Sequence, residues 1–466
     1  MKGTARWDAQ PYCRLTEMNQ AHGPYICRVA PFETGFAFEW FDCGAPDETH
    51  AVLYREHGSD QSMQELPVQE RMASVCGLKA DTDYEFLLKR ADGSAQSRLR
   101  LVRTGVYPGT VINYLHPEDE AYITSGRYLC SPSLVKLPNG ALLASMDVYA
   151  GGAPQNLTLI FRSDDCGRNW RYVTDLMPCF WGKLFWHRDA LYILGCSTEY
   201  GDLLIGRSDD EGRTWSAPAA LFRGSRGDVG MHKAPMPVIE HEGKLYTCVE
   251  YGAWKAETNY HADCMLSVDA NADLLNPENW HMTEPVYYDA TWPGAVDGPC
   301  PGCIEGNAVV SPDGKLCDYL RIDHAQADPA FGKAVILEMA EPDAPMHLRR
   351  IVNCPIGSNA KFQLRRDPQT GVYLAIGCEV LNPETPRQRT VLSLCISRDF
   401  ETWEVVHRLI DRREADPQKE GYQYVDWQFD GSDLIVVCRT AVNGAHNFHD
   451  SNCITFHRVP AFRKWL

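Results

Sequence analysis

Nothing in this chain reads as helical or membrane-embedded. It has no run of about 18 apolar residues, the length that spans a bilayer, and almost no segment repeats apolar residues at the helical spacing. Basic charge is scarce: 45 Lys and Arg stand against 62 Asp and Glu, a net charge of -17. That balance excludes nucleic acid, which needs stripes of Lys and Arg, and an anionic membrane surface as partners. The opening Met1-Lys2-Gly3-Thr4-Ala5-Arg6-Trp7-Asp8 contains no apolar stretch of the signal-peptide kind. A Walker loop, a dinucleotide glycine signature and a G-x-S-x-G elbow are also missing, so no cofactor is expected. The 18 Cys form no framework. Cys248, Cys395 and Cys438 lie inside apolar runs, where a thiol behaves as a small hydrophobe. With no export signal, the expectation is reduced thiols and a cytoplasmic protein.

The chain is rich in short β-type runs, such as Leu157-Thr158-Leu159-Ile160-Phe161, Leu191-Tyr192-Ile193-Leu194 and Leu434-Ile435-Val436-Val437. Turn clusters punctuate them: Pro138-Asn139-Gly140, Pro312-Asp313-Gly314 and Asp430-Gly431-Ser432. The pattern predicts an all-β protein built of meandering hairpins. At 466 residues it holds two or three domains, and its 12 Trp, 21 Tyr and 16 Phe suit flat, hydroxylated ligands such as sugars.

After an N-terminal extension over 1–21, the stretch 22–106 reads as a separate module. Phe36-Ala37-Phe38-Glu39-Trp40 alternates, and Leu78 precedes Tyr84 by six residues. This resembles the fibronectin type III β-sandwich, whose tyrosine at that corner bonds its hydroxyl back to the chain. Beyond it, Ser163-Asp164-Asp165-Cys166-Gly167-Arg168-Asn169-Trp170 recurs as Ser208-Asp209-Asp210-Glu211-Gly212-Arg213-Thr214-Trp215, with a shortened copy at Ser397-Arg398-Asp399-Phe400-Glu401-Thr402-Trp403. In S-x-D-x-G-x-x-W the Asp receives backbone N–H groups of a tight turn, Gly supplies positive φ, and Trp opens the next strand. These are Asp boxes, and residues 107–466 resemble the sialidase superfamily of six-bladed β-propellers.

What that resemblance implies can be carried over residue by residue. The family hydrolyses terminal sialic acids: three arginines grip the substrate carboxylate, a tyrosine activated by a glutamate is the nucleophile, and an aspartate is the general acid/base. Guanidinium forks match a carboxylate bidentately, and a phenol needs a neighbouring base to attack at neutral pH. Ile304-Glu305-Gly306 followed by Arg321 matches the glutamate and second-arginine strands. Arg389, with Arg387 as the alternative, matches the third arginine, and Tyr424 in Tyr422-Gln423-Tyr424-Val425-Asp426 matches the nucleophile, with Tyr422 on the same pleat face.

Two positions depart from the family. Where it has Arg-Ile-Pro, this chain has Cys130-Ser131-Pro132, so the first arginine is missing unless Arg127 replaces it; Arg439 stands where its acidic supporter belongs. On the loop expected to bear the acid, 147–156, the one carboxylate is Asp147. Replacement chemistry is expected from His232 and Lys233, and from His449 and Asn447 in the cluster 446–452, while Trp254, Trp181 and Trp292 are candidate stacking platforms. Cys300-x-x-Cys303 with His261 and Cys264 has zinc-like spacing without a convergent set of four ligands, so no metal is expected.

With the first arginine and the acid aspartate unmatched, the leading expectation is not a standard neuraminidase but an exo-acting glycoside hydrolase of altered substrate, on an oligosaccharide with an acidic or otherwise polar terminal sugar. Glu305, Tyr424 and Asp426 are its catalytic candidates, and His232 or Asp147 supplies the proton. Carboxylates about 6.5–9.5 Å apart would allow direct attack by water instead. Two alternatives stay open: a uronide lyase using His232, Tyr424 and Arg321, and a non-catalytic carbohydrate-binding propeller. The chain is compatible with a monomer or a homodimer.

Overall fold

The computed structural model describes residues 11–20, 22–43, 49–224, 229–253, 260–296, 302–323, 332–357, 360–381, 385 and 388–466. Phe36, Phe38 and Trp40 alternate into one core because successive strand residues face opposite sides. Their strand, Gly35–Phe41, lies between Tyr25–Phe32 and Met72–Cys76. A second sheet, in the order Gln64–Val68, His50–Glu56, Asp83–Arg90, Arg100–Arg103, supplies Val52, Phe86, Leu88 and Val102 to the same core. The Tyr84 hydroxyl accepts the Lys79 amide at 3.1 Å, tying the corner back to the chain. Glu39 breaks the alternation by being buried, since its carboxylate accepts the Tyr172 amide of a later sheet at 2.9 Å.

Six antiparallel sheets follow in the described residues, each a meander starting from an inner strand. The inner strands are Tyr128–Lys136, Phe180–His187, Gly230–His232 continued by Ile239–His241, Gly302–Val310, Gln363–Arg366 and Gly421–Asp430. The last packs back against the first, as a β-propeller requires. The sixth sheet is completed from both directions: Cys453–Val459 pairs with Thr110–Tyr114.

Side chains on the inner strands stitch one sheet to the next. Ser133 Oγ accepts Leu184 N at 3.0 Å, Asn307 Oδ1 accepts Leu364 N at 2.8 Å, Gln363 Oε1 accepts Trp427 N at 2.9 Å and Asp426 Oδ2 accepts Leu134 N at 2.8 Å. Inner-strand amides that no neighbouring strand can pair are thereby satisfied.

The repeated S-x-D-x-G-x-x-W segments fold alike. Ser163 Oγ donates to Asp165 at 2.8 Å and accepts Gly167 N at 2.9 Å; Asp165 accepts Asn169 N at 2.9 Å, and Trp170 Nε1 donates to Gly167 O at 3.2 Å. Ser208, Asp210, Gly212, Thr214 and Trp215 repeat every one of these bonds. Gly167 and Gly212 sit at φ of 88° and 90°, where a Cβ is disfavoured. In the shortened copy Trp403 Nε1 donates instead to the Tyr319 hydroxyl at 2.6 Å.

Candidate functional site

Four inner strands lose register at a bulge, and each bulge holds a non-glycine residue in the left-handed region: Ser131 at 46°, Trp181 at 57°, Glu305 at 59° and Tyr424 at 52°. Such backbone costs about 1–3 kcal/mol per residue and persists only where its surroundings enforce it. Buried carboxylates do so at two of them. Glu250 Oε1 accepts Gly306 N at 3.0 Å, and Asp147 Oδ2 accepts Trp181 N at 2.7 Å. A bulge re-aims a side chain out of the pleat. Trp181, Glu305 and Tyr424 all meet charged or aromatic groups from other elements as a result.

Around Tyr424 the guanidinium of Arg389 lies 5.2 Å from the ring centre and that of Arg439 5.1 Å. Arg439 also lies 5.5 Å from the Tyr149 ring, bonds the His449 carbonyl and donates to Ser451 Oγ at 3.3 Å. Arg389 donates to Gln423 Oε1 and covers the Phe448 ring at 5.4 Å. The His449 ring completes this side, 6.2 Å from Tyr424 and 5.7 Å from Tyr149. Burial first, then the Arg439 charge, pushes the His449 imidazole down to about 3, so it is neutral at physiological pH. Its Nδ1 lies 3.0 Å from Asp450 Oδ1.

Arg321 is the third cation. Its Nε is 2.9 Å from Glu305 Oε2, and its Nη2 is 3.5 Å from Asp323 Oδ1. Burial opposes its charge, but Glu305 foremost, then Tyr424 and Asp323, hold it above the ordinary arginine range. Next to it stand His232 and His261, their rings 5.5 Å apart. His232 Nδ1 meets Glu250 Oε2 at 2.6 Å, and its ring meets Trp181 edge-on at 4.3 Å. The Tyr200 hydroxyl lies 3.0 Å from His261 Nε2, and burial, His232 and Arg321 hold His261 well below the usual histidine range.

The structure therefore brings together Glu305, Arg321, Arg389, Tyr424, Arg439, His449, His232 and Trp181. Other expected site residues lie elsewhere. Asp426 is one of the inner-strand stitches: wholly buried, it accepts Ser133 Oγ at 3.1 Å and pairs with Lys183 and Arg365. Burial works against its charge, yet Lys183, Arg365 and Lys361 keep it ionised below the usual carboxylate range. Asp147 is equally enclosed, spending its oxygens on Thr158 Oγ1 at 2.5 Å and the Trp181 amide. Lys233 is buried, donates to Ala234 O at 2.8 Å, and is pushed down to about 8 by burial. Asn447 shapes its own loop by accepting the His449 and Asp450 amides, each at 2.7 Å.

Arg127 is half-buried beside Glu120 at 3.4 Å and does not stand in for the missing arginine; the guanidinium groups found at Tyr424 are those of Arg389 and Arg439. Tyr422 packs into the core with its hydroxyl on Glu420 at 2.9 Å, because the left-handed Tyr424 turns the two side chains apart. Trp292 packs edge-on against Tyr288 at 5.5 Å in the apolar cluster of the fourth sheet. Cys264 and Cys303 are core residues. Trp254, Arg387 and Cys300 fall outside the described residues.

One carboxyl beside the site was not singled out from sequence. Glu199, on the turn between Ala190–Cys196 and Leu203–Ser208, accepts Gln155 Nε2 at 2.7 Å. Burial raises its carboxyl, opposed by the Gln155 hydrogen bond and by His232.

No known family model matches this chain, and no curated protein matches it in sequence. Solved structures do share its fold. The GH93 α-L-arabinofuranosidase of Fusarium graminearum in complex with arabinobiose is 13% identical at a TM-score of 0.50, covering 77% of this chain and 98% of that one. The E242A mutant of the Fusarium graminearum arabinofuranosidase, bound to an iminosugar inhibitor, is 12% identical at a TM-score of 0.52 over the same shares. An α-L-arabinanase of Penicillium chrysogenum with arabinobiose is 15% identical at a TM-score of 0.49, covering 77% and 99%.

Proposed function

We propose that this protein is a glycoside hydrolase on a six-bladed, sialidase-like propeller with a fibronectin type III-like sandwich, and that it releases a terminal acidic sugar from an oligosaccharide. The observation that carries the reading is the gathering of three guanidinium groups, Arg321, Arg389 and Arg439, about the phenol of Tyr424. Three buried cations beside one hydroxyl suit a sugar whose carboxylate sits next to the anomeric carbon, since arginine forks bind carboxylates with defined geometry. Solved enzymes of similar fold act on arabinose-containing saccharides, which supports a carbohydrate substrate. Glu305, sharing Arg321 with Tyr424, takes the phenolic proton as the oxygen attacks.

The test is turnover of an acidic glycoside and its counterpart with the carboxylate reduced to an alcohol. Replacing Arg439 or Arg389 by Met is expected to lower kcat/KM on the acidic substrate about 10- to 150-fold, the worth of one charge-assisted bond of about 1.5–3 kcal/mol, and to spare the reduced one. Equal losses on both would remove the carboxylate from the reading.

A second reading rests on His449. A neutral imidazole touching Tyr424 and flanked by arginines is also what a uronide lyase needs, with a base to take the C5 proton and cations to neutralise the carboxylate. An unsaturated product, seen as a rise in ultraviolet absorbance, would select it; a saturated sugar selects hydrolysis.

A further inference from the structure

The proton donor expected on the loop 147–156 is not there, because Asp147 is sealed beneath the Trp181 bulge. What this loop offers instead is Gln155, whose amide reaches across to the next sheet and donates to Glu199 at 2.7 Å. The two loops are clasped a second time where the Thr198 hydroxyl donates to Pro154 O. The Glu199 turn is itself rigid: Ser197 N bonds Asp202 O at 2.8 Å, Asp202 N bonds Ser197 Oγ at 3.0 Å and Gly201 N bonds Thr198 O at 2.9 Å. The titratable groups facing the carboxyl are His232 on one side, Tyr149 and Cys130 on another, and Tyr200 beside it. Glu199 thus stands between the Tyr149–Arg439–His449 side of the site and the Trp181–His232–His261 side. It is half-buried, open in part to solvent.

On the hydrolase reading above, on which this rests, we propose that Glu199 is the general acid, moved from the first sheet's loop to the second's. As the bond from the anomeric carbon to the glycosidic oxygen breaks, its electron pair stays on that oxygen, which takes the Glu199 proton. The carbon is captured by the Tyr424 oxygen, whose proton passes to Glu305. Water then adds to the carbon, giving its proton to Glu199, while Tyr424 leaves and recovers its proton from Glu305. The elevated carboxyl of Glu199 suits this role, as a donor must hold its proton near working pH.

The experiment is Glu199→Gln and Gln155→Leu, compared with wild type on an oligosaccharide and on a dinitrophenyl glycoside of the same sugar, across pH. The dinitrophenolate leaves without protonation. Glu199→Gln is expected to lose about 10²- to 10⁴-fold in kcat/KM on the oligosaccharide, under about tenfold on the dinitrophenyl glycoside, and to lose the alkaline limb of the pH profile. Gln155→Leu removes a bond that favours the carboxylate, so its alkaline limb moves to higher pH. Equal losses on both substrates, or an alkaline limb unmoved in both variants, would overturn the assignment and leave the hydrolase standing. A wild-type enzyme that yields only unsaturated product would overturn both.

Discussion

Asp147 keeps its proton through most of the neutral range, since burial lifts its carboxyl to about 8 against the bonds from Thr158 and Trp181 that favour the anion. An unfolded aspartate titrates near 3.9. The unfolded chain therefore gives up this proton first as pH rises. Stability from the site is fully present below about pH 4 and is lost as pH climbs through about 8. Asn mimics the neutral acid, accepting Trp181 N while donating to the Thr158 hydroxyl. Asp147→Asn is thus expected to flatten the fall in denaturation midpoint between pH 4 and 8, and an unchanged slope would show that Asp147 is not its source. At this scale Glu305, Arg321, Arg389 and Tyr424 were carried over from the resemblance to the sialidase strands, and the structure places them close together. Asp426 misled for a physical reason: nothing in its own strand says that its acceptor duty lies on Leu134, in the first sheet. Glu199 was overlooked because Ser197-Thr198-Glu199-Tyr200-Gly201 reads as an ordinary turn, and only Gln155 of another sheet gives it meaning.

The boxed turns behave as elements whose local sequence dictates their shape. Ser, Asp and Gly fix the turn, and the Trp indole closes it by bonding the glycine carbonyl while its ring is buried. Trp170→Ala is expected to cost about 3–5 kcal/mol, the range for deleting a large aromatic from a core, read as a lower denaturant midpoint with a two-state transition retained. Hairpins were similarly plain, because Asn139-Gly140 and Asp313-Gly314 announce them. The bulges were not. A left-handed Trp, Glu or Tyr has no sequence signal, since local preference opposes it and the enforcing carboxylates, Asp147 and Glu250, lie on other strands.

Taken whole, the chain joins its two parts through buried polar groups as well as apolar ones. Arg28 Nε donates to Ile112 O at 2.7 Å, Val29 N to Asn113 Oδ1 at 3.1 Å, and Arg100 Nε to Asp119 Oδ2 at 2.7 Å, with Arg100 and Asp119 both enclosed. Asp119→Ala would leave Arg100 buried without its counter-ion. A loss of about 3–5 kcal/mol is expected, shared by both parts in a single calorimetric transition. Two separated transitions would show that the sandwich and the sheets melt independently. This joining was not legible in the sequence, because Arg28, Glu39 and Arg100 look like ordinary strand charges until a second surface covers them.

The pairing of Thr110–Tyr114 with Cys453–Val459 sets a rule for how this molecule comes into being. Tyr424 and Arg439 sit on the sheet that this pairing completes. During synthesis, then, the sheet that carries Tyr424 and Arg439 gains its last strand-to-strand closure only once Cys453–Val459 has been made, however well the earlier sheets have formed. A chain stopped before Cys453 would leave Thr110–Tyr114 without its partner strand.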